Sequence, residues 1–254
     1  MSGLADGRMD VFLRRLTVST EPSLVENLVR EMLSERPVEF LAELLSALGK
    51  RALEERARIV YSSMLRVAVS SDSLPESVRQ GVYSILASRG EAALIRHFLP
   101  VSPRRKMREA EAPYDAMLDD MSLGMKKWKA RLHNRDLLLR LGRDANPAVL
   151  ANLLDNPLLR EEDVILWAAR RPNNAEALML IGLHRKWSLR PRIQQAIARN
   201  PYTPTHLAAA YLPLVPRTIL SEMEHDRTLH DLVREGAQDV LAIRSRSRST
   251  DDTE

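Results

Sequence analysis

Apolar residues recur at helical spacing through most of the first hundred positions. In EPSLVENLVREMLSE they lie three and four positions apart, which places them on one face of a helix behind a capping Thr20. PVEFLAELLSALGK predicts a second helix that begins at Pro37 and ends at Gly49. RALEERARIVYSSMLRVAVS, LPESVRQGVYSILASRG and EAALIRHFL predict three more. Helices joined by such short connections favour antiparallel hairpins, so residues 1–99 are predicted to form an N-terminal helical-hairpin region.

The following segment, residues 100–124, interrupts this periodicity. It contains three prolines and an acidic stretch that ends at Asp119 and Asp120. It also contains a basic run made of Arg104, Arg105, Lys106 and Arg108. Prolines and alternating charge runs are typical of connections, so this segment is predicted to be a linker or an exposed crossing segment.

Helical periodicity resumes in residues 125–243, now broken by regularly spaced prolines. A shift of 44 residues lays Pro147, Asn156, Pro157 and Pro172 on Pro191, Asn200, Pro201 and Pro216. The same shift lays Trp167 on Tyr211. Three of fourteen prolines that agree at one offset predict an internal repeat. Because the residue before a proline is disfavoured in the α region, each copy is predicted as a helix, an Asn-Pro corner and a second helix.

The end of the chain has two parts in this interpretation. A last helix is predicted at about 226–243, where apolar residues again lie at helical spacing, and it could close the repeat region as a cap. RSRSRSTDDTE, residues 244–254, has no apolar residue and is predicted to be disordered.

Three stretches carry a resemblance to a known family. LLLRLGRDANPAVLANLLDNP, VLANLLDNPLLREEDVILWAARRP and IQQAIARNPYTPTHLAAAYLPLVP resemble leucine-rich repeat variant units, which are related in shape to HEAT and armadillo repeats. The resemblance covers roughly residues 136–216. It implies an all-α fold, a right-handed α-solenoid of short stacked helices. Two departures are that NNAEALMLIGLHRKWSL lacks the proline corner, and that the chain has no cysteine for the iron–sulfur cluster of some family members.

Composition agrees with the helical interpretation and narrows the chemistry. Of 254 residues, 44% are hydrophobic but only 4% aromatic, so the core is built from aliphatic side chains that suit thin helix layers. The absence of cysteine excludes disulfides, thiolate metal sites and a cysteine nucleophile. The start of the chain does not resemble a signal peptide, and VILWAA is far shorter than the roughly 20 residues that span a bilayer. A soluble, cytoplasmic protein without a membrane partner is expected.

No catalytic motif is found. The chain has no GxSxG, no HExxH, no phosphate-binding glycine loop and no dinucleotide fingerprint. His225 and His230 are five residues apart, which is a poor spacing for two ligands on one helix face. The sequence therefore predicts a protein that is not an enzyme and has no cofactor or metal.

Two basic clusters centred on tryptophan join the 104–108 run as candidate binding residues. The first consists of Lys126, Lys127, Trp128, Lys129 and Arg131, and the second of Arg185, Lys186, Trp187, Arg190 and Arg192. A positive groove with an aromatic ring could hold phosphates and stack a base, as in HEAT-like DNA glycosylases. The favoured interpretation is that each tryptophan packs one helix onto the next, with its cations solvated. Trp167, inside VILWAA, is predicted to be a core residue equivalent to Tyr211.

The overall charge separates two functional hypotheses. Although the pI is about 9.6, the net charge is only +4 and 32 of the 38 basic residues are arginine. Weak net charge argues against a dedicated nucleic-acid surface. The leading prediction is a non-catalytic protein–protein interaction scaffold or adaptor that uses a solenoid surface. The alternative is a HEAT-like solenoid that binds nucleic acid, with or without processing of bases, and uses the tryptophan-centred clusters.

Overall fold

The computed structural model describes residues 21–35, 38–69, 75–99, 101–144 and 146–251. Regular secondary structure in these ranges is entirely helical, without any β-strand, which confirms the all-α class. The α-helices are α1 (Pro22–Glu35), α2 (Val38–Lys50), α3 (Glu55–Val69), α4 (Glu76–Ser88), α5 (Ala92–Ile95), α6 (Ala116–Asp119), α7 (Leu123–Lys129), α8 (Arg135–Leu141), α9 (Pro147–Leu154), α10 (Glu161–Ala169), α11 (Ala175–Leu183), α12 (Pro191–Ala198), α13 (Thr205–Tyr211), α14 (Arg217–His225) and α15 (Asp231–Asp251). Short 3-10 turns occur at Arg96–Phe98, Glu109–Glu111, Trp187–Leu189 and Leu212–Leu214.

The five helices predicted for the N-terminal region are present as α1 to α5. The helix predicted to end at Gly49 continues one residue further, to Lys50. The proposed cap Thr20 and the proposed helix start Pro37 lie outside the described residues. Amphipathic spacing was therefore sufficient to find these helices, and α2 to α5 each bury apolar side chains.

The chain folds into two compact units, and the first contains both ends of the sequence. We call it the terminal unit, which consists of residues 1–100, 209–226 and 231–254. The central unit consists of residues 101–208 and 227–230. The predicted repeat region 125–243 is thus not a single unit, since its last part belongs with the N-terminal helices.

Specific long-range contacts explain the composition of the terminal unit. Helix α1 packs on α3, and α2 packs on α4. The hydroxyl of Tyr61, fully buried on α3, donates a hydrogen bond to the carbonyl oxygen of Ala210 at 3.3 Å, and burial raises the pKa of this phenol. Arg96 pairs with Asp239 and Glu235 of α15. Residues that are in contact but lie more than a hundred positions apart leave no pattern in the local sequence. The spacing of apolar residues therefore did not reveal these contacts.

Helix α15 corrects the prediction of a disordered tail at 244–254. The helix does not end near residue 243 but continues to Asp251. The Arg244 guanidinium donates to the main-chain carbonyls of Pro213 and Val215 at 2.7 and 2.8 Å, and its burial lowers the pKa of this side chain. No glycine or proline follows to stop the helix. Residues 252–254 lie outside the described ranges.

The predicted linker, residues 100–124, belongs almost entirely to the central unit. Its backbone is fixed at two points. The Arg105 N–H donates to the Pro201 carbonyl at 3.0 Å, and the Ser102 carbonyl accepts from the Thr205 hydroxyl at 2.9 Å. The buried Leu118 of α6 adds an apolar contact. These two hydrogen bonds attach the segment to α13 and to the corner before it, and the linker or exposed crossing segment stays a prediction.

Two Asn-Pro corners in the central unit have the same hydrogen bonds. The Asn156 side-chain amide donates to the carbonyls of Ala130 and Leu132 at 2.8 and 3.1 Å, while its oxygen accepts from the N–H two residues later at 3.0 Å. The Asn200 amide donates to the carbonyls of Ala168 and Arg170 at 2.7 and 2.9 Å, and its oxygen likewise accepts from the N–H two residues later. Both side chains are buried.

The helices that precede these corners also match. Helices α9 and α12 each contain eight residues and begin with a proline, whose missing N–H costs nothing in the first turn. The residues that cap their C-terminal ends, Asp155 and Arg199, have φ of −87° in both cases and ψ of −6° and −2°. Positions that the 44-residue offset aligns therefore have the same local backbone.

Trp167 lies in the core of the central unit, as predicted. Its ring fits against Gly142, where a Cβ atom would come within 1.9 Å of the indole carbon Cζ2. Only glycine leaves room for the ring at this position. Tyr211 is also buried, but it lies in the terminal unit, whereas Trp167 lies in the central unit.

Candidate binding surface on helix α7

Helix α7 is short, and hydrogen bonds at both ends define it. At its start the Ser122 hydroxyl accepts from the Met125 N–H at 3.2 Å, which satisfies one of the free donors of the first turn. At its end the buried Ala130 presents a carbonyl that Asn156 binds. The first Asn-Pro corner therefore fixes the position of α7.

The two sides of α7 differ in chemistry. Lys126 lies on the inner side, where its ammonium group pairs with the Asp144 carboxylate at 2.8 Å and both side chains are largely buried. Met125 and Trp128, one turn apart, lie on the outer side with exposed fractions of 48% and 59%. Gly124 lies on the same outer side and is also exposed. The outer side of α7 thus exposes apolar residues while its inner side carries an ion pair. An ordinary amphipathic helix exposes polar residues and buries apolar ones.

The exposure of Trp128 shows that the predicted helix-packing role of this residue is wrong. The ring lies in solvent, and its indole N–H has no hydrogen-bond partner within the described ranges. The physical reason is geometric. Successive residues are about 100° apart around a helix, so the inward position held by Lys126 leaves the residue two places later on the outer side.

Lys127 and Lys129 lie at the two edges of the exposed face. Each is one residue from Trp128, hence about 100° to either side of it. Neither lysine forms an ion pair with any described residue. Arg131, beyond the end of the helix, donates to the Asn152 side-chain oxygen at 2.8 Å. We call Gly124, Met125, Lys127, Trp128 and Lys129 the α7 face.

The second tryptophan-centred cluster has the predicted packing role. Trp187 is only 2% exposed, and its indole N–H donates to the Leu154 carbonyl at 2.8 Å. Lys186 covers the ring, with its Nζ atom 4.0 Å from the ring centroid. Arg185, Lys186 and Arg190 are exposed, and Arg190 lies 3.9 Å from a carboxylate oxygen of Glu161. The buried ring is not available to a ligand.

His184 lies next to this tryptophan and is partly buried. Burial lowers the pKa of its imidazole, and the Asp155 carboxylate, 3.3 Å from Nε2, opposes that shift. Its ring centroid is 6.4 Å from that of Trp187. These contacts are those of a packed side chain rather than of a catalytic base.

The third cluster is exposed but lies on an irregular segment. Its members Arg104, Arg105, Lys106 and Arg108 are all exposed. The main-chain N–H of Arg108 donates to the Glu111 carboxylate at 2.9 Å, which fixes the backbone. No ion pair to another described residue involves these four side chains. The cluster adds positive charge, and its sequence from Arg104 to Arg108 contains no aromatic residue.

Charge is divided unequally between the two units. The central unit has 20 Lys and Arg against 12 Asp and Glu, a net charge of +8, whereas the terminal unit has 18 against 22, a net charge of −4. The modest net charge of the whole chain is therefore the sum of opposite contributions. All fourteen candidate residues of the three basic clusters lie in the positive unit.

Sequence reasoning missed several exposed apolar side chains in α7 and in the segment that precedes it along the chain. These are Tyr114, Met117, Leu123 and Met125, with exposed fractions from 45% to 78%. The signal was present, because five large apolar residues, from Tyr114 to Trp128, occur within fifteen positions that overlap the predicted linker or crossing segment. Clustered exposed apolar residues mark interaction sites more often than isolated ones do.

Neither metal nor membrane sites are indicated in the part of the chain that the structure describes. No three His, Asp or Glu side chains there are grouped closely enough to hold an ion. No helix there is both long and apolar enough to cross a bilayer. A scan against protein-family models and searches of the curated proteins and of the solved structures found no match to this chain.

Proposed function

We propose that the chain is a non-catalytic binding scaffold, in which the central unit contains stacked helical repeats of the α-solenoid kind and supplies the binding surface. The observation that carries the proposal is the α7 face, an exposed apolar surface on a helix that buried hydrogen bonds hold in place. A rigid helix with an exposed tryptophan is suited to binding another macromolecule, because tryptophan is enriched among the residues that dominate binding energy.

The Asn-Pro corners support the repeat part of the proposal. Each corner ties a helix to the end of an earlier one through a buried asparagine. Helix α9 also packs on α7 and α11, and α12 packs on α10, so contacts skip one helix along the chain. This is the contact pattern of stacked helical units that cannot bury their apolar faces alone.

The experiment is a pull-down from lysate of the native host, with and without nuclease, followed by mass spectrometry. The bait is the full chain, and the matched bait is its Trp128→Ala variant. After nuclease treatment, we expect the full chain to retain a defined set of proteins. The Trp128→Ala variant should retain less of the same proteins. If no protein is retained specifically after nuclease treatment, the scaffold proposal is wrong.

The second candidate, nucleic-acid binding, is favoured by the charge of +8 on the central unit and by the exposed Trp128 between two lysines that form no ion pair with any described residue. We expect only weak binding of single-stranded or duplex DNA that is lost near about 150 mM salt, because counterion release makes phosphate contacts strongly salt-dependent. Fluorescence anisotropy measures this. Submicromolar binding at that salt, abolished by Lys127→Ala with Lys129→Ala, would replace the scaffold proposal. Lys126 is left intact because it pairs with Asp144.

A further inference from the structure

The apolar part of the α7 face is small, but its composition is specific. Trp128 and Met125 are one turn apart and form a contiguous pair on the outer side of the helix. Aromatic residues and methionine are enriched in the cores of protein interfaces, where the flexible thioether adapts to the shape of the partner. A methionine offers no flat surface on which a nucleobase could stack. The pair therefore fits an aliphatic or aromatic side chain better than a base.

Gly124 adds a second feature, because nothing in the fold requires a glycine there. A Cβ atom at this position would meet no neighbour closer than the Ser122 hydroxyl at 4.0 Å, and its φ is not in the left-handed region. Glycine inside a helix costs stability relative to alanine. The bare backbone beside Trp128 leaves space for the main chain of a partner to approach closely.

The lysines at the edges indicate the charge of the partner. Lys127 and Lys129 flank the apolar pair, while their neighbour Lys126 is already neutralised by Asp144. Cations at the rim of an interface accelerate association with a partner of opposite charge and fix its register. The net charge of +8 on the central unit acts in the same direction over a longer range.

We infer that the α7 face binds an acidic segment of a protein partner, with one large apolar side chain of that segment packed on Trp128 and Met125 and its carboxylates beside Lys127 and Lys129. The inference rests on the proposed scaffold function, and it names the partner chemistry and the site. Oligonucleotides and a second copy of this chain are alternative occupants, which the experiment distinguishes.

The test is selection from a display library of short random peptides on the immobilised full-length chain. Selected peptides should be enriched in Asp and Glu around one Trp, Phe, Leu or Met. Trp128→Ala should weaken the best peptides at least about 30-fold, the loss typical of a central aromatic contact. The matched control is Leu166→Ala, which removes a side chain of α10 that is 67% exposed and should leave affinity unchanged.

Two further variants test the edges and the bare backbone. Lys127→Gln with Lys129→Gln should weaken binding roughly 3- to 10-fold and reduce its salt dependence, as expected for rim charges. Arg143→Gln with Arg192→Gln removes the same charge from exposed positions elsewhere in the central unit and should change affinity less than about 2-fold. Gly124→Ala has room to fold normally but should weaken the peptides, because its methyl group occupies the approach path.

The outcomes separate this inference from the function on which it rests. If peptides bind wild type and Trp128→Ala equally well, the α7 face is not the site, although a scaffold function would stand. If neither peptides nor lysate proteins are retained, both proposals are wrong. Tight binding of an oligothymidylate, lost in Trp128→Ala, or self-association measured by analytical ultracentrifugation and lost in the same variant, would assign the face to another occupant and overturn the inference.

Discussion

Trp128 and Trp187 have similar neighbours in sequence and opposite environments in the structure. Each is flanked by basic residues, in MKKWKARL and in LHRKWSLR. Trp187 is almost completely buried and donates its indole N–H to a main-chain carbonyl, whereas Trp128 is more than half exposed and its N–H has no described partner. Flanking lysines and arginines therefore do not indicate whether a tryptophan is buried.

The difference in burial between the two tryptophans comes from the groups that lie beside each ring. Leu154 is the last residue of α9, so its carbonyl has no partner within the helix and needs a donor. The indole of Trp187 supplies that donor. Among the described residues Trp128 meets no such acceptor, and the inner side of its helix is occupied by the pair of Lys126 and Asp144. One ring completes a helix end, and the other is left for solvent or a partner.

The largest expected effect is at the buried ring. Trp187→Ala should reduce the free energy of unfolding by about 3–5 kcal/mol, because it creates a cavity and leaves the Leu154 carbonyl unpaired. Urea unfolding followed by circular dichroism measures this. Trp187→Phe is the control, which keeps most of the packing but removes the donor and should lose less. If Trp187→Ala lost little free energy of unfolding, the buried Trp187 would contribute no more to stability than the exposed Trp128.

The helices and much of the core were predictable because they depend on local spacing. Periodic apolar residues found α1 to α5, and Asn-Pro pairs found the corners at Asn156 and Asn200. Both signals act within one or two helical turns, where propensity and steric restrictions on the backbone decide the conformation. Trp167 was recognised as buried for the same reason, since it lies in an apolar helical stretch.

The division of the chain and the α7 face were not predictable in this way. The contact of Tyr61 with Ala210, and those of Arg96 with α15, join residues far apart in sequence. The charge of the central unit became visible only once its boundaries were known. Likewise, the exposure of Trp128 depends on Asp144, sixteen positions later, which holds Lys126 inward.

A second, smaller effect is expected at Asn156, which holds the helix that carries Trp128. Asn156→Ala should reduce the free energy of unfolding by about 1–3 kcal/mol, since it removes the donor to the main-chain carbonyls of Ala130 and Leu132. Asn200→Ala removes the same set of bonds at the other corner and should lose a similar amount. Thermal unfolding monitored by circular dichroism compares the two. If only one variant is destabilised, the corners are not equivalent and the repeat proposal loses its support.

A still smaller effect is expected from the cation above the buried ring. Lys186→Met keeps the apolar stem but removes the ammonium group that lies over Trp187, which should cost about 0.5–1 kcal/mol. Lys127→Met, beside the exposed ring, is the matched variant and should leave stability unchanged. Urea unfolding of both proteins in parallel tests the contrast. Equal losses would show that the cation above Trp187 has no specific role in stability.

The smallest effect on stability is expected at the exposed ring itself. Trp128→Ala should change the free energy of unfolding by no more than about 0.5 kcal/mol, because its indole N–H makes no hydrogen bond among the described residues and more than half of the residue is exposed. The variant also has a spectroscopic signature. Of the three tryptophans in the chain, Trp167 and Trp187 are buried, so removal of Trp128 should shift the emission of the folded protein to shorter wavelength and reduce quenching by acrylamide. A loss of stability near that of Trp187→Ala, with unchanged emission, would instead mean that Trp128 packs one helix onto the next, and the α7 face would no longer be a candidate binding surface.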